Sequence, residues 1–177
     1  GALDIGRPLA DYLDELEGTT MGSRTIQDVL AHRAGLKSWI PFYLEAMEDS
    51  TAFYPRETPV HNQRVSDACF MRPAWQDSIW THIVESEVDP VGTHRYSDLG
   101  YYALQRIIEQ ITGQPLDEFA SSTFYSPAGW SSLGYSPTDR FETREIAPTE
   151  EDTLFRKVVV RGEVHDPGAA MLNGVAG

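Results

Sequence analysis

Residues 94–113, HRYSDLGYYALQRIIEQITG, contain the pattern that most restricts how this chain folds. Apolar side chains recur at three- and four-residue spacing, at Leu104, Ile108 and Ile111. This spacing predicts a helix with one face in a hydrophobic core. Gly113 can adopt the left-handed conformation that ends a helix, and the proline two residues later cannot extend it.

Three side chains precede this helix, where one capping residue would suffice. Ser97 or Asp98 can accept a hydrogen bond from the free N–H groups of the first turn, and a carboxylate also suits the positive end of the helix dipole. Capping therefore explains Ser97 and Asp98 but leaves Tyr96 unexplained.

Length and charge limit the classes of function. A chain of 177 residues with 41% apolar residues fits one globular domain. A net charge of −13, with basic residues scattered along the chain, argues against a nucleic-acid partner. Cys69 is the single cysteine, so an intrachain disulfide is excluded. The sequence has neither a signal-peptide pattern nor an apolar run long enough for a membrane span.

Helical patterns dominate up to residue 147. Besides the helix near residue 100, we expect helices over 8–16, 25–35, 41–49, 73–86 and 115–126. Gly35 is expected to end the second of these helices. Residues 50–72 contain two prolines and many polar side chains, which favours a loop with at most a short extended piece near Arg64–Ser66.

The sequence pattern changes from one typical of helices to one typical of strands near the C-terminus. Consecutive β-branched residues predict a strand over Lys157–Val160, and a second strand is expected over Glu163–His165 after the turn residue Gly162. We therefore predict a mainly α chain, α+β overall, with a short strand or hairpin near its end. Residues 1–177 are interpreted as a single truncated domain, with a mostly helical lobe over 1–147 and a return toward a sheet over 148–177.

The residues by themselves identify no complete catalytic or metal site. The five histidines are His32, His61, His82, His94 and His165. None has a second ligand at metal-binding spacing, so no metal and no cofactor are predicted. His32 is interpreted as a residue that complements a helix dipole or bonds within the core. The chain has no G-x-S-x-G and no S-x-x-K, the patterns that would mark a nucleophilic serine.

Two segments together carry a family resemblance. TIQDVLAHRAGL, residues 25–36, resembles the TIRDLLTHTSGL pattern of the serine β-lactamase and penicillin-binding protein superfamily, especially its class C β-lactamase and family VIII esterase branch. YSDLGYYALQRIIEQITGQPLDEF, residues 96–119, resembles the Tyr-x-Asn segment of that superfamily and the helix after it. Residues 1–16 and 162–177 resemble the flanking passages, so the resemblance covers nearly the whole chain.

The resemblance implies a two-lobed fold, in which helices flank an antiparallel sheet and the active site lies in a groove between a helical lobe and the sheet. It implies that Tyr96 lines this groove near a nucleophilic serine and its lysine partner. There the tyrosine takes the serine proton, or helps the lysine to do so, and later assists the deacylating water. A phenol has an ordinary pKa near 10, so this role needs a neighbouring cation.

Asp98 departs from the resemblance, since the superfamily has asparagine at this position. Asparagine both donates and accepts hydrogen bonds, whereas an ionised aspartate only accepts. An anion here would disfavour a penicillin-like carboxylate and would suit a lysine. The departure lowers the expectation of a β-lactamase and raises that of an esterase or peptidase. Asp98 is open to two interpretations, a catalytic-site residue or a helix cap.

We therefore expect part of a serine hydrolase that acts through an acyl-enzyme on a small acyl, ester, β-lactam or peptidoglycan-like substrate. Without S-x-x-K, the 177 residues are expected to be inactive alone and able to self-associate. The resemblance implies a periplasmic or secreted protein. Two alternatives stay open: a non-catalytic binding or accessory module of the same fold that has lost the nucleophile, and an unrelated helical domain.

Overall fold

The computed structural model describes residues 2–174 as a mainly helical chain with two small antiparallel sheets, which confirms the predicted fold class. Its α-helices are α1 (Ile26–Leu30), α2 (Phe42–Glu48), α3 (Ala74–Glu85), α4 (Leu99–Thr112), α5 (Leu116–Ala120) and α6 (Pro167–Met171). Its strands are β1 (Phe53–Tyr54), β2 (Gln63–Ser66), β3 (Cys69–Met71), β4 (Pro148–Asp152) and β5 (Val158–Arg161). A π-helical turn at Ser121–Tyr125 continues α5.

The chain groups into two compact units. The first contains the residues up to Ile40 together with Ile79–Leu116, and the second contains Pro41–Ser78 together with the residues from Asp117 onward. The core of the first unit includes fully buried side chains of α1, α3 and α4, namely Ile26, Ile79, Ile83, Leu99 and Ile107. In the second unit, buried side chains come from α2, both sheets and α6, namely Phe42, Ala46, Met71, Val160 and Met171. The single truncated domain of the sequence prediction stays a prediction.

The predicted helix over 8–16 is wrong. Two 3₁₀ turns, Leu9–Asp11 and Asp14–Leu16, occupy this segment instead. The N–H groups of Leu9 and Ala10 donate to the carbonyls of Arg24 and Gly22 at 2.8 and 3.0 Å. Leu13, between the two turns, has an extended backbone with φ −128° and ψ 104°, so the segment cannot continue as one helix.

α1 ends earlier than the glycine signal predicts. The hydroxyl of Thr25 accepts a hydrogen bond from the N–H of Asp28 and caps the helix, as expected. The chain then leaves the helix after Leu30, and His32 rather than Gly35 is the first left-handed residue, with φ 53°. Asparagine and histidine are among the side chains that tolerate this conformation.

The predicted loop over 50–72 contains a sheet in the order β1–β3–β2. Phe53 and Gln63 both pair with Met71, from opposite sides of β3. Each strand has at most four residues, which is too short for a clear alternation of polar and apolar side chains in the sequence. The strands are stabilised by pairing with one another, and a local sequence pattern does not show this pairing.

The predicted C-terminal strand over Lys157–Val160 is present as β5, but its partner is β4, upstream of it. Glu163–His165 does not form the second strand that the sequence predicts. The side chain of Arg156 donates to the carbonyls of Val164 and His165 at 2.5 and 2.9 Å, so this backbone is held by a side chain. The chain then enters α6, which the sequence analysis missed, with the Asp166 carboxylate as its cap.

Candidate functional site

The candidate site lies where the chain enters α4, in the first unit. Asp98 precedes the helix, and its carbonyl oxygen accepts the N–H groups of Tyr101 and Tyr102 at 2.9 and 3.2 Å. The predicted capping by the Asp98 side chain is not observed, since that side chain makes no capping hydrogen bond. The hydroxyl of Ser97 donates to the carbonyl of Lys37 at 2.6 Å. The Ser97 side chain therefore anchors the backbone instead of capping α4.

Backbone hydrogen bonds join the segment before α4 to the segment after α1. The N–H of Asp89 donates to Gly35, that of Arg95 to His32 and that of Asp98 to Ser38, all at 2.8–2.9 Å. The segment bearing Tyr96 is therefore attached along its length to residues near the end of α1.

Gly35 permits this close approach of the two segments. Its φ is +73°, and a Cβ atom there would lie 2.2 Å from the carbonyl oxygen of Asp89. Any other residue would need a strained backbone and would collide with the neighbouring segment. The close approach of the two segments thus explains the glycine in the first motif.

Three consecutive side chains differ sharply in exposure. Tyr96 is 66% exposed and Ser97 only 4% exposed, while Asp98 is half-buried. The buried Ser97 side chain can therefore anchor the backbone, while the neighbouring Tyr96 side chain exposes its phenol to solvent. Both sequence-predicted site residues therefore lie on one fixed segment, and their catalytic role stays a prediction.

His32 packs directly against Tyr96. The two ring centroids are 4.5 Å apart with an interplanar angle of 38°, and the ring of Tyr101 stacks on His32 at 5.2 Å and 26°. The Nδ1 atom of His32 accepts a hydrogen bond from the N–H of Ser97 at 3.2 Å. The sequence interpretation of His32 as a dipole-complementing or core residue missed this contact, although the residue lies inside the first motif.

Two arginine side chains near the segment bond to Asp89. The Arg95 guanidinium contacts the Asp89 carboxylate at 2.6 Å, and Arg24 donates to the carbonyl of Asp89 at 2.9 Å. These contacts fix the loop that leads into the tyrosine segment. They also keep the Arg95 charge, next to Tyr96 in sequence, in an ion pair.

The second unit contains a separate polar cavity of about 560 Å³. Arg64, Asp67, Asp139, Glu163 and Asn173 are among the residues that line it. The Glu163 carboxylate accepts hydrogen bonds from the Asp67 N–H at 2.6 Å and from Arg64 at 3.3 Å, so the cavity wall is internally bonded. Neither Tyr96 nor Asp98 lines this cavity.

Residues 2–174 contain neither a candidate metal cluster nor a helix suited to span a membrane. Within that range, no group of three or more His, Cys, Asp or Glu side chains could hold a metal ion. In the same residues, no helix is long and apolar enough to cross a membrane.

Known proteins resemble this chain over most of its length. A protein of Escherichia coli O157:H7 named "Putative D-alanyl-D-alanine carboxypeptidase" is 27% identical over 187 residues, which cover 98% of this chain and 39% of that protein. An N-acetylmuramyl-L-alanine amidase of Bacillus subtilis (strain 168) is 29% identical over 197 residues, covering 100% and 40%. The chain thus spans about 40% of the length of these relatives.

A solved structure shares the fold. The crystal structure of a β-lactamase from Sulfitobacter sp. EE-36 superposes with a TM-score of 0.55 at 18% identity, covering 99% of this chain and 40% of that one. The family model described as Beta-lactamase matches residues 1–174. A match over this extent establishes that the chain belongs to the β-lactamase family, within the serine β-lactamase and penicillin-binding protein superfamily.

Proposed function

We propose that this chain supplies Tyr96 to the active site of a serine hydrolase that works through an acyl-enzyme. The observation that carries the proposal is the presentation of Tyr96. Its side chain is 66% exposed, yet its backbone neighbours are fixed by the Ser97 hydroxyl and the Arg95 N–H. A general base must be accessible to substrate and held in position, and the exposure and fixed backbone of Tyr96 support this role.

Acyl transfer needs a nucleophile, a base and oxyanion donors within hydrogen-bond reach of one another. The 177 residues contain no S-x-x-K, so the proposal assigns the serine and its lysine to the complete gene product that contains this sequence. Tyr96 would take the serine proton, directly or through the lysine, and return it to the leaving group. The same phenol would then activate the water that releases the acyl group.

Asp98 is proposed to bias the substrate class. Its carboxylate lies two residues from Tyr96 at the start of α4, where an ionised oxygen accepts hydrogen bonds but donates none. It would repel the carboxylate of a penicillin-like ligand and tolerate an ester or a peptide amide. The names of the relatives, a carboxypeptidase for D-alanyl-D-alanine and an amidase, support a peptidoglycan-like amide as substrate in a periplasmic or secreted protein. The charge of Asp98 favours the amidase type of substrate, because it would also repel the terminal carboxylate of a D-alanyl-D-alanine peptide.

The test is intact mass spectrometry of the complete gene product after incubation with a fluorophosphonate and, separately, with a penicillin. Covalent labelling of the wild type is expected, with faster reaction toward the fluorophosphonate. Tyr96→Phe removes the proton acceptor and should slow labelling about 100-fold or more, as expected for loss of a general base.

Tyr54→Phe is the matched control. Tyr54 is also exposed and stacks on a histidine, His61, at 5.5 Å, but it lies in the second unit. Labelling of this variant at the wild-type rate would show that the effect is specific to Tyr96. A folded wild-type protein that neither probe labels would overturn the proposal and favour a binding module of the same fold.

A further inference from the structure

We infer that His32 is a positioning residue for Tyr96, holding the phenol in its working orientation through the Ser97 N–H and through ring contact. The inference rests on the proposed function, because it needs Tyr96 to act in acyl transfer. It adds a role that neither the motif resemblance nor the relatives assign. Three sets of contacts carry it.

The backbone of His32 is fixed first. Its φ of 53° is left-handed, and its N–H donates to the carbonyl of Val29 at 3.0 Å. Its own carbonyl accepts the N–H of Arg95 at 2.9 Å. The residue is thus bonded on one side to α1 and on the other to the residue that precedes Tyr96. Its ring is placed by this geometry rather than by a flexible loop.

The ring nitrogen supplies the second contact. Because the Ser97 N–H donates to Nδ1 at 3.2 Å, this nitrogen must carry a lone pair. The neutral imidazole that satisfies this bond has its proton on Nε2. Ser97 is 4% exposed, so few waters could replace the histidine as partner of its N–H.

The ring faces supply the third contact. The ring of His32 contacts the rings of Tyr96, at 4.5 Å, and of Tyr101, at 5.2 Å. The hydroxyl of Tyr101 donates to the carbonyl of Leu30 at 3.4 Å, which attaches the Tyr101 ring to the end of α1. An exposed tyrosine would otherwise rotate freely about its side-chain bonds. Contact with a fixed ring removes part of that freedom and orients the phenol oxygen.

The geometry can be tested without activity. In the complete gene product labelled with ¹⁵N, two-bond imidazole correlations report the tautomer of His32. A scalar coupling across the N–H···N bond reports its link to Ser97. We expect the Nε2–H tautomer and a detectable coupling. A proton on Nδ1 would overturn the inference whether or not the protein is a hydrolase.

The functional test compares variants that accept a left-handed backbone. His32→Gly removes ring and acceptor, whereas His32→Asn keeps an acceptor oxygen near the position of Nδ1. With saturating fluorophosphonate, the maximal acylation rate of His32→Gly should fall about 10- to 100-fold, the cost of a misplaced catalytic group, with little change in probe affinity. His32→Asn should recover most of this loss. His61→Gly, at the other stacked histidine, should retain the wild-type rate.

The outcomes separate the two proposals. Wild-type labelling that is lost in Tyr96→Phe but unchanged in His32→Gly would leave the hydrolase standing and overturn the role of His32. Equal slowing of His32→Gly and His32→Asn, with both proteins melting like the wild type, would overturn the acceptor argument. An unlabelled wild type would overturn the hydrolase and, with it, the catalytic role of His32. The nuclear magnetic resonance result would then still decide whether His32 accepts the Ser97 N–H and so anchors the backbone next to Tyr96.

Discussion

Cys69 shows how burial controls the chemistry of a single residue. It lies in β3 with 7% of its surface exposed, and burial raises the pKa of its thiol to about 11. Since the thiolate is the reactive species, we expect alkylation by iodoacetamide at pH 8 to be at least tenfold slower in the folded protein than in urea. Intact mass against time measures both rates.

Serine at the same position is the matched control for that experiment. Cys69→Ser should show no mass increase in either solvent, because Cys69 is the single cysteine of the sequence. Rapid alkylation of the folded wild type would contradict the buried position of the thiol. The result would also indicate whether the β1–β3–β2 sheet opens readily.

At the scale of residues, the sequence identifies Tyr96 but not its neighbour. Tyr96 stands out because helix capping leaves it unexplained and because it lies in a motif. The partner of Ser97 is 65 positions away, at His32, and no local pattern encodes a contact over that separation. Neither of the two candidate caps acts as one: the Asp98 side chain makes no capping hydrogen bond, and the Ser97 hydroxyl bonds to distant Lys37.

At the scale of elements, Gly100 controls how closely α4 approaches α1. A Cβ atom at this position would lie 2.6 Å from Cγ1 of Val29 and 3.1 Å from Cδ1 of Leu36. Gly100→Ala should lower the free energy of unfolding by about 1–3 kcal/mol, because overpacking exceeds the gain in helix propensity. Urea denaturation followed by circular dichroism measures the change.

Gln110→Ala provides a control on the exposed face of α4. It also introduces alanine into the helix, but without a collision, and should change stability by less than about 0.5 kcal/mol. Equal stability of Gly100→Ala and the wild type would show that α1 and α4 can separate at little cost.

Asp152 and Arg156 connect the β4–β5 hairpin to the segment that leads into α6. Burial of the Asp152 carboxyl would raise its pKa, but hydrogen bonds from the Arg156 side chain and from the N–H groups of Phe155 and Arg156 lower it below its usual value. Asp152→Ala leaves the fully buried Arg156 guanidinium without this partner. The free energy of unfolding at pH 7 should fall by about 3 kcal/mol or more.

The pH dependence of that loss has a defined sign. A carboxyl whose pKa is lowered by folding contributes stability above its unfolded pKa, about 3.9, and loses that contribution as the pH falls through the folded value. The difference between the wild type and Asp152→Ala should therefore be constant from pH 7 to about 5 and should shrink below about pH 4. A difference that grows on acidification would contradict the assigned direction of the shift.

The elements divide into those that local patterns predict and those that they do not. α2 was predicted from its proline entry, α3 from apolar side chains at four-residue spacing, and α4 from its apolar spacing and terminal glycine. The strands of two to four residues in β1, β2 and β3 depend on pairing with one another. The turn at Leu9–Asp11 bonds to Gly22 and Arg24, more than ten residues away, which no local pattern encodes.

At the scale of the whole molecule, two motifs in the right order predicted the family, and the helical patterns of successive segments predicted the mainly α class. The order and spacing of the motifs identify the family even where individual elements are predicted wrongly, because all segments of the chain must be compatible with the same fold. The grouping into two compact units could not be predicted from the motifs. It depends on which distant segments pack together, as residues 2–40 do with Ile79–Leu116.

The set of catalytic groups in the 177 residues determines which reactions they can carry out when produced alone. Without S-x-x-K, this chain should gain no mass from a fluorophosphonate or a penicillin, because a base such as Tyr96 cannot form an acyl-enzyme without a nucleophile. Intact mass measures the outcome, and slow alkylation of Cys69 in the same sample verifies that the chain is folded. A stoichiometric adduct on this folded chain would reveal a nucleophile among its own residues and would overturn the assignment of the reactive serine to the complete gene product.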